Sequence, residues 1–303
     1  MIVWLCEEGG PGARAALGEL PPGLVVEPFP DDPRVAPDRD RVEFVVPAWE
    51  ARDRLHLDAL AALCVVQVRS AGVDWIADHV PPGVILCSAR GARDAAMAEW
   101  VVWALLAGVK QAGTAAAAQA RRRWEPMVMG DLRGARILLL GHGSIGRAVE
   151  GHLAPFGVEL VRVARRARDG VHAVDELDGL LGNADAVVNL LPATPATRGL
   201  LDARRLWLMR CGALLVNGGR GATVDTDALV GALRAGRVRA VLDVVEPEPL
   251  PAEHPLWSAP NVTVTPHVAG DTAGAERAAW ALVGEQLRRY AAGEPLRNVA
   301  GDY

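Results

Sequence analysis

Three apolar runs in the C-terminal half of this 303-residue chain each lead to one residue able to do chemistry. Ala213-Leu214-Leu215-Val216-Asn217-Gly218-Gly219 leads to Arg220. Ala240-Val241-Leu242-Asp243-Val244-Val245-Glu246-Pro247 leads to Glu248, and Val262-Thr263-Val264-Thr265-Pro266 leads to His267. Each run reads as a short buried strand followed by a polar turn. Parallel strands place their C-terminal ends along one edge, and ligands bind in the crevice beside it. A guanidinium that holds an acid, an imidazole that moves a proton and a carboxylate that orients the imidazole would then share one edge. Singly, each has a plainer reading. A His after Thr-Pro is usually a turn residue, an Arg after Gly-Gly a surface charge, and Glu246 and Glu248 in a Pro-rich turn are usually solvated. Three strand ends in one chain favour the joint reading.

The elements that must carry these residues alternate along the chain. Strands are expected at Met1–Cys6, near Leu24–Val26, at Val42–Val46, Cys64–Val68 and Val84–Cys87, with short helices over Gly9–Gly18 and His56–Ala62. Pro21–Asp40 is rich in Pro and Asp and reads mainly as loop. Ser70-Ala71-Gly72-Val73-Asp74 reads as a turn leading into a helix. A long Ala-rich helix follows from Asp94 to about Arg122, broken near Gly113 and apolar nearly all round in its first half. Then come Arg136–Leu140, Gly146–Phe156, Val158–Val163, Ala186–Leu190, Asp202–Leu208 and the three runs above, with a final helix over Asp271–Ala292. This alternation predicts a doubly wound parallel α/β sheet.

Arg136-Ile137-Leu138-Leu139-Leu140 runs straight into Gly141-His142-Gly143-Ser144-Ile145-Gly146 and then into an expected helix. In a chain with 32 glycines the GxGxxG pattern alone is weak. Its place between strand and helix makes it a dinucleotide signature. The first Gly permits a tight turn, the second lets backbone approach a pyrophosphate, and the third lets helix and strand pack closely, with the helix N-terminus facing the anion. The next strand ends at Ala164-Arg165-Arg166, where an NAD site places an acidic residue on the ribose 2′-OH. Guanidinium groups suit a 2′-phosphate instead, which favours NADP over NAD. The plainer reading is that Arg165, Arg166 and Arg168 form a solvated basic loop.

Composition narrows the rest. A net charge of −5 argues against nucleic acid as main partner. Half the chain is hydrophobic, and Lys110 is its one lysine. Cys6, Cys64, Cys87 and Cys211 form no CxxC pair and read as small core residues. No His/Cys/Asp cluster has metal-ligand spacing. The N-terminal apolar run is too short for a signal peptide, and Ala95–Val109, interrupted by Glu99, falls short of the ~20 residues that span a bilayer. The expectation is a soluble cytoplasmic protein with no membrane partner.

Taken together, the segments resemble the D-isomer-specific 2-hydroxyacid dehydrogenase family, above all its glyoxylate/hydroxypyruvate reductase branch. The matching text is the glycine turn, Leu191-Pro192-Ala193-Thr194-Pro195-Ala196-Thr197-Arg198-Gly199-Leu200, Asn217–Gly221, Asp243–Pro249, Thr265–Gly270 and Ser70–Asp74. The resemblance implies a Rossmann cofactor domain, residues 95–270, inserted into a flavodoxin-like substrate domain, residues 1–94 and 271–303, with the active site in the cleft between them. It implies a homodimer joined through the long helices. Arg220, Glu248 and His267 take the family's catalytic positions. Gly141, Gly143, Ser144, Ile145 and Gly146 fall at the pyrophosphate turn, and Leu191, Pro192 and Thr197 beside the adenosine. Gly218, Gly219, Asp243, His267 and Gly270 fall near the nicotinamide, with Asp243 suited to its carboxamide. Ala71 and Gly72 would offer N–H groups to the substrate carboxylate.

The departure is Gly218-Gly219, where the family often has small polar residues; the pair is expected to loosen the loop slightly without removing its backbone contacts. The sequence lacks the C-terminal regulatory extension of many phosphoglycerate dehydrogenases and keeps Glu248 where formate dehydrogenases use glutamine. Both features count against those assignments.

The implied reaction reduces a small 2-keto acid to its D-2-hydroxy acid. Arg220 pairs with the acid, His267 gives the proton, and Glu248 holds the ring and favours its charged form. Two other readings stand beside it: a dinucleotide-sensing binding protein like the corepressors of this fold, and an NAD-dependent dehydrogenase of a bulkier acid. Trp49 and Trp100 are candidates for shaping substrate choice, although core packing is the simpler role. His142 is expected to face solvent, His254 to sit in a loop, and Arg121-Arg122-Arg123 to form a solvated helix end.

Overall fold

The computed structural model describes residues 1–6 and 15–301. The chain divides into two compact units, Met1–Arg93 with Asp271–Tyr303, and Asp94–Gly270.

The first unit is built on β1 (Ile2–Leu5), β2 (Val25–Pro28), β3 (Val42–Val46), β4 (Val65–Gln67) and β5 (Ile85–Cys87). All pairings are parallel, in the order β2-β1-β3-β4-β5, the flavodoxin-like order. Side chains alternate across each strand. Ile2 and Trp4 enter a core with Val42, Leu55, Leu57 and Ile76 on one face. Val3 and Leu5 enter another with Phe44, Trp280, Val283 and Leu287 on the opposite face. The last three come from the C-terminal helix, Ala273–Ala291. Each fully buried side chain of this size contributes about 1.5–3 kcal/mol, so these two layers set the sheet more than any loop does. The chain's C-terminal segment runs antiparallel beside β5, with Ala300 N–H donating to Leu86 O at 2.7 Å and Ser88 N–H to Asn298 O at 3.0 Å.

The second unit carries α1 (Asp94–Val109), α2 (Ala112–Ala120), β6 (Arg136–Leu140), α3 (Ser144–Leu153), β7 (Glu159–Ala164), β8 (His172–Ala173), α4 (Leu177–Leu181) and β9 (Ala186–Asn189). It continues with α5 (Ala203–Leu208), β10 (Ala213–Asn217), α6 (Thr226–Arg234), β11 (Val238–Leu242) and β12 (Val262–Val264). Its seven strands are parallel, in the order β12-β11-β10-β9-β6-β7-β8. The strand order reverses between β6 and β9, the switch point of a doubly wound sheet. Both faces are covered. Ile137, Leu139, Val188, Leu214 and Val216 pack under α1, and Leu138, Leu140, Val187, Leu215 and Leu242 on the other side. That is why these strands read as unbroken apolar runs.

Several local expectations are corrected. His56–Ala62 is not an α-helix but 3-10 turns at Trp49–Arg54 and Leu57–Ala59. His56 takes a left-handed φ of 39° there, while Leu55, Leu57 and Leu60 are buried. The long helix does break near Gly113, at Gln111 with φ 53°, and the two parts are bent by 65°. The turn after Ser70 leads only to a 3-10 turn, Ala77–His79. Of the helix expected over Gly9–Gly18, residues 7–14 lie outside the described residues, and Ala15–Leu17 form one 3-10 turn. Cys6 and Cys87 are core residues, but Cys64 and Cys211 are exposed. Among the described residues no single helix is long and apolar enough to cross a membrane.

Candidate active site

The three runs that open the sequence reading become β10, β11 and β12, which are neighbours in the sheet. Their C-terminal ends therefore lie side by side, and the residues beyond them are held by buried polar anchors. Asn189, at the end of β9, donates to Asn217 Oδ1 at 2.9 Å and to Thr223 Oγ1 at 2.6 Å. Asn217 Oδ1 also accepts from Gly219 N–H at 3.2 Å, and Thr223 Oγ1 donates to Arg220 O at 2.6 Å. All three side chains are fully or almost fully buried. A buried network with its partners satisfied fixes loop geometry. Gly219 is part of this fixation. A Cβ there would lie 2.6 Å from Leu191 O and 2.7 Å from Leu191 N. Gly219 thus keeps its close contact with backbone, while Gly218 lies against the side chains of Met97, Trp100 and Leu190.

His267 Nδ1 is hydrogen-bonded to Glu248 Oε1. The imidazole is 44% exposed and the carboxylate 38%, so both groups are held yet accessible. The bond to Glu248 raises the His267 pKa above the ordinary histidine value, against burial and against the charge of Arg220, which is near enough to act on the ring. His267 itself has φ 56°, a strained backbone for a residue with a side chain. The loop that strains it hangs on Asp243. That buried carboxylate accepts from Thr265 Oγ1 at 2.5 Å, Val268 N–H at 3.0 Å and Ala269 N–H at 2.9 Å. A carboxylate has about four acceptor positions, so three are taken by the loop that carries His267.

At the switch point, Gly141 N–H donates to Val163 O at 2.9 Å, tying the glycine turn to the end of β7. Gly141 has φ 100°, and a Cβ on Gly146 would collide with Gly141 O. At Gly143, the N-cap of α3, a Cβ would meet nothing within 4 Å. The turn is thus closed behind and open in front, and the first N–H groups of α3, from Ser144 and Ile145 onward, have no intrahelical acceptor. An anionic pyrophosphate fits that cradle. Arg165 and Arg166 follow β7 directly and are exposed. The Leu191–Thr197 loop is closed on itself, with Thr197 Oγ1 donating to Pro192 O at 2.6 Å.

Comparison with known proteins shows the family. Residues 102–269 match the model of the D-isomer specific 2-hydroxyacid dehydrogenase, NAD binding domain. The chain belongs to the D-isomer specific 2-hydroxyacid dehydrogenase family. It is 32% identical to the D-3-phosphoglycerate dehydrogenase of Mycobacterium tuberculosis over 97% of this chain and 57% of that protein. The chain spans about half the length of such curated relatives, 43% in the case of the Methanocaldococcus jannaschii protein. Among solved structures, a family member from Xanthobacter autotrophicus Py2 in complex with NADPH and MES superposes with a TM-score of 0.85 at 32% identity, covering 100% of this chain and 99% of that one. An NADPH-dependent glyoxylate/hydroxypyruvate reductase from Sinorhizobium meliloti, in complex with NADP and sulfate, gives 0.84 at 29% identity, covering 99% and 98%.

Within this family's fold, other residues fall where sequence reasoning did not put them. His142 does not face solvent. Its Nε2 meets Glu150 Oε2 at 2.7 Å, and its carbonyl accepts from Arg168 Nη2 at 2.8 Å. Glu150 also pairs with Arg162, and these two partners hold its carboxyl at about 2. Arg168 is therefore tied to the glycine turn, while Arg165 and Arg166 are exposed. His254 caps the turn Pro255–Ser258, accepting from Leu256 N–H at 3.2 Å. Trp100 packs with the core under α1, as the simpler reading held, while Trp49 is 48% exposed and edges Trp75 at 5.2 Å. In the first unit the Ser70–Gly72 turn is braced by Ser70 Oγ, which donates to Gly72 O at 2.7 Å and accepts from Trp75 Nε1 at 3.1 Å. No described residue accepts from the N–H of Ala71 or Gly72. Asn189 and Thr223 were missed altogether. The one signal was a polar residue closing the run Val187-Val188-Asn189. Among the described residues no cluster of His, Cys, Asp and Glu could hold a metal ion.

Proposed function

We propose that this chain is an NADP-dependent reductase of a small 2-keto acid, of the glyoxylate or hydroxypyruvate type, yielding the D-2-hydroxy acid. The observation that carries the reading is the His267–Glu248 hydrogen bond at the end of β12, with the charge of Arg220 felt at the same ring. The bound dinucleotide supplies the hydride. Gly141, Gly143, Ser144, Ile145 and Gly146 would hold its pyrophosphate, Leu191, Pro192 and Thr197 its adenosine side, and Arg165 and Arg166 its 2′-phosphate. Gly218, Gly219 and Gly270 lend backbone near the nicotinamide, and the remaining acceptor position of Asp243 suits the carboxamide. Arg220 pairs with the substrate carboxylate and draws charge onto the keto oxygen. In the first unit, Ala71 and Gly72 would offer N–H groups to a substrate carboxylate, as the family resemblance implies. Protonated His267 gives its Nε2 proton to the oxygen as negative charge builds there, and Glu248 keeps the ring charged through Nδ1.

The direction of the His267 shift sets the pH behaviour. A raised pKa keeps the imidazolium populated above the ordinary histidine range. Reduction then holds through neutral pH and falls as pH rises through that raised value. Oxidation of the hydroxy acid, which needs neutral His267, rises over the same interval.

The test is loss of NADPH absorbance with a panel containing glyoxylate, hydroxypyruvate and bulkier 2-keto acids, repeated with NADH. A phosphorylated 2-keto acid belongs in the panel because of the D-3-phosphoglycerate dehydrogenase relatives. Tight dinucleotide binding with no turnover of any member would favour the sensing protein instead. A homodimer is part of the proposal. Exposed Trp103, Trp124, Val128 and Met129, on and after α1, are apolar surface that a second copy would cover. Light scattering measures it.

A further inference from the structure

One group of charges in the first unit has no part in the chemistry above. Arg69 directly precedes the Ser70–Gly72 turn. Its side chain is only 10% exposed, pairs with Glu276 and lies over the Trp280 ring at 5.1 Å. Glu276 sits in the first turn of the C-terminal helix, just after the Thr272 cap. Its second oxygen is 3.6 Å from Arg93 Nη2. Arg93 in turn pairs with Asp271 and donates from Nε to Arg69 O at 3.4 Å. Glu276 therefore grips Arg69 twice, at its guanidinium directly and at its carbonyl through Arg93. At the first residue of the turn, Ala89 N–H donates to Ser70 O at 2.8 Å. The Ala71 and Gly72 N–H groups follow directly on these fixed points, and the Ser70 Oγ bond to Gly72 O closes the turn after them.

Burying such ions is a weak source of stability, because desolvation consumes most of the attraction. Setting one conformation of the adjoining turn is what the arrangement does well. We propose that Glu276 is a positioning residue: through Arg69 and Arg93 it holds the Ser70–Gly72 turn so that its N–H groups meet the substrate carboxylate. The inference rests on the assignment of Ala71 and Gly72 to that carboxylate.

Hydrogen exchange of the full-length protein over residues 68–76, with glyoxylate kinetics, tests it. In Glu276→Gln, exchange over this segment rises and the KM for glyoxylate rises by about tenfold, the size expected for losing a charged hydrogen bond. The kcat and the dissociation constant for NADPH stay near wild type, and Glu276→Asp recovers most of the KM. Unchanged exchange over 68–76 overturns the proposal, as does a lowered melting temperature with an unchanged KM. If Glu276→Gln does not fold, Arg93→Gln keeps the Arg69–Glu276 pair and should shift both readouts the same way; no shift in folded Arg93→Gln overturns the proposal too. Oxalate added with NADPH separates the two layers. If oxalate leaves residues 70–73 of the wild type unprotected, the carboxylate assignment fails, whereas unaltered exchange in Glu276→Gln sinks the positioning role alone.

Discussion

Both units are parallel sheets with helices packed on their faces, yet they end their strands differently. In the first unit the polar residues at the strand ends turn inward. Gln67, closing β4, accepts from Gln286 at 3.0 Å and donates to Val68 O at 2.7 Å, and Gln286 binds the backbone of Arg297 on both its amide atoms. Under the proposed function, what this edge offers a ligand is backbone N–H. In the second unit the buried anchors Asn189, Asn217, Thr223 and Asp243 are spent on the loops, and Arg220, Glu248 and His267 stand above them. The same architecture thus gives one scaffold that offers dipoles and another that offers charges and a titrating ring.

Experiments that remove one side of this contrast should differ in size. The largest loss is expected from His267→Ala, about 10²–10⁴ in turnover if the ring is the general acid, with NADPH affinity unchanged by fluorescence titration. A variant with near-native rates would remove the contrast. Glu248→Gln is next. The ring loses the partner that raises its pKa, so turnover falls by about tenfold or more and the alkaline decline of the pH–rate profile moves to lower pH. A decline left in place would mean that Glu248 does not set the ring's charge.

Cofactor choice sharpens the comparison inside the second unit. Arg165→Asp should cut NADPH affinity by about ten- to a hundredfold and leave NADH nearly unaffected, the scale of one charge-assisted bond lost. Unaltered preference would shift the 2′-phosphate contact to Arg166 or Arg168. Smaller effects are structural. Gly219→Ala drives a methyl group into the Leu191 backbone and should cost about 1–3 kcal/mol in denaturant unfolding. Gln286→Leu strands Gln67 and the Arg297 N–H and should cost about the same, without touching NADPH binding. An equal loss of cofactor affinity in Gln286→Leu would show that the two sheets do not divide the work as described.

Much of this was legible in the sequence because two periodicities carry it. Strands buried on both faces announce themselves as apolar runs, and β6 was read to its exact bounds. The glycine turn was legible because its spacing is backbone geometry, and Arg220, Glu248 and His267 because each follows such a run. What the sequence hid were the choices settled by packing. His56–Ala62 carries helical residues, but buried Leu55 and Leu57 demand a left-handed kink between them. His142 reads as solvent-facing until α3 brings Glu150 back over it.

Residue order by itself determined the apolar periods, the glycine spacing and which chemically capable side chains follow which strands, since all three are local. Only the tertiary structure decided which of those side chains meet. It set β10, β11 and β12 side by side, gave His267 its partner and spent Asp243 on the loop beneath. Such pairings join residues some twenty positions apart or more, and no local propensity encodes them; hydrogen bonding in a shared buried layer does.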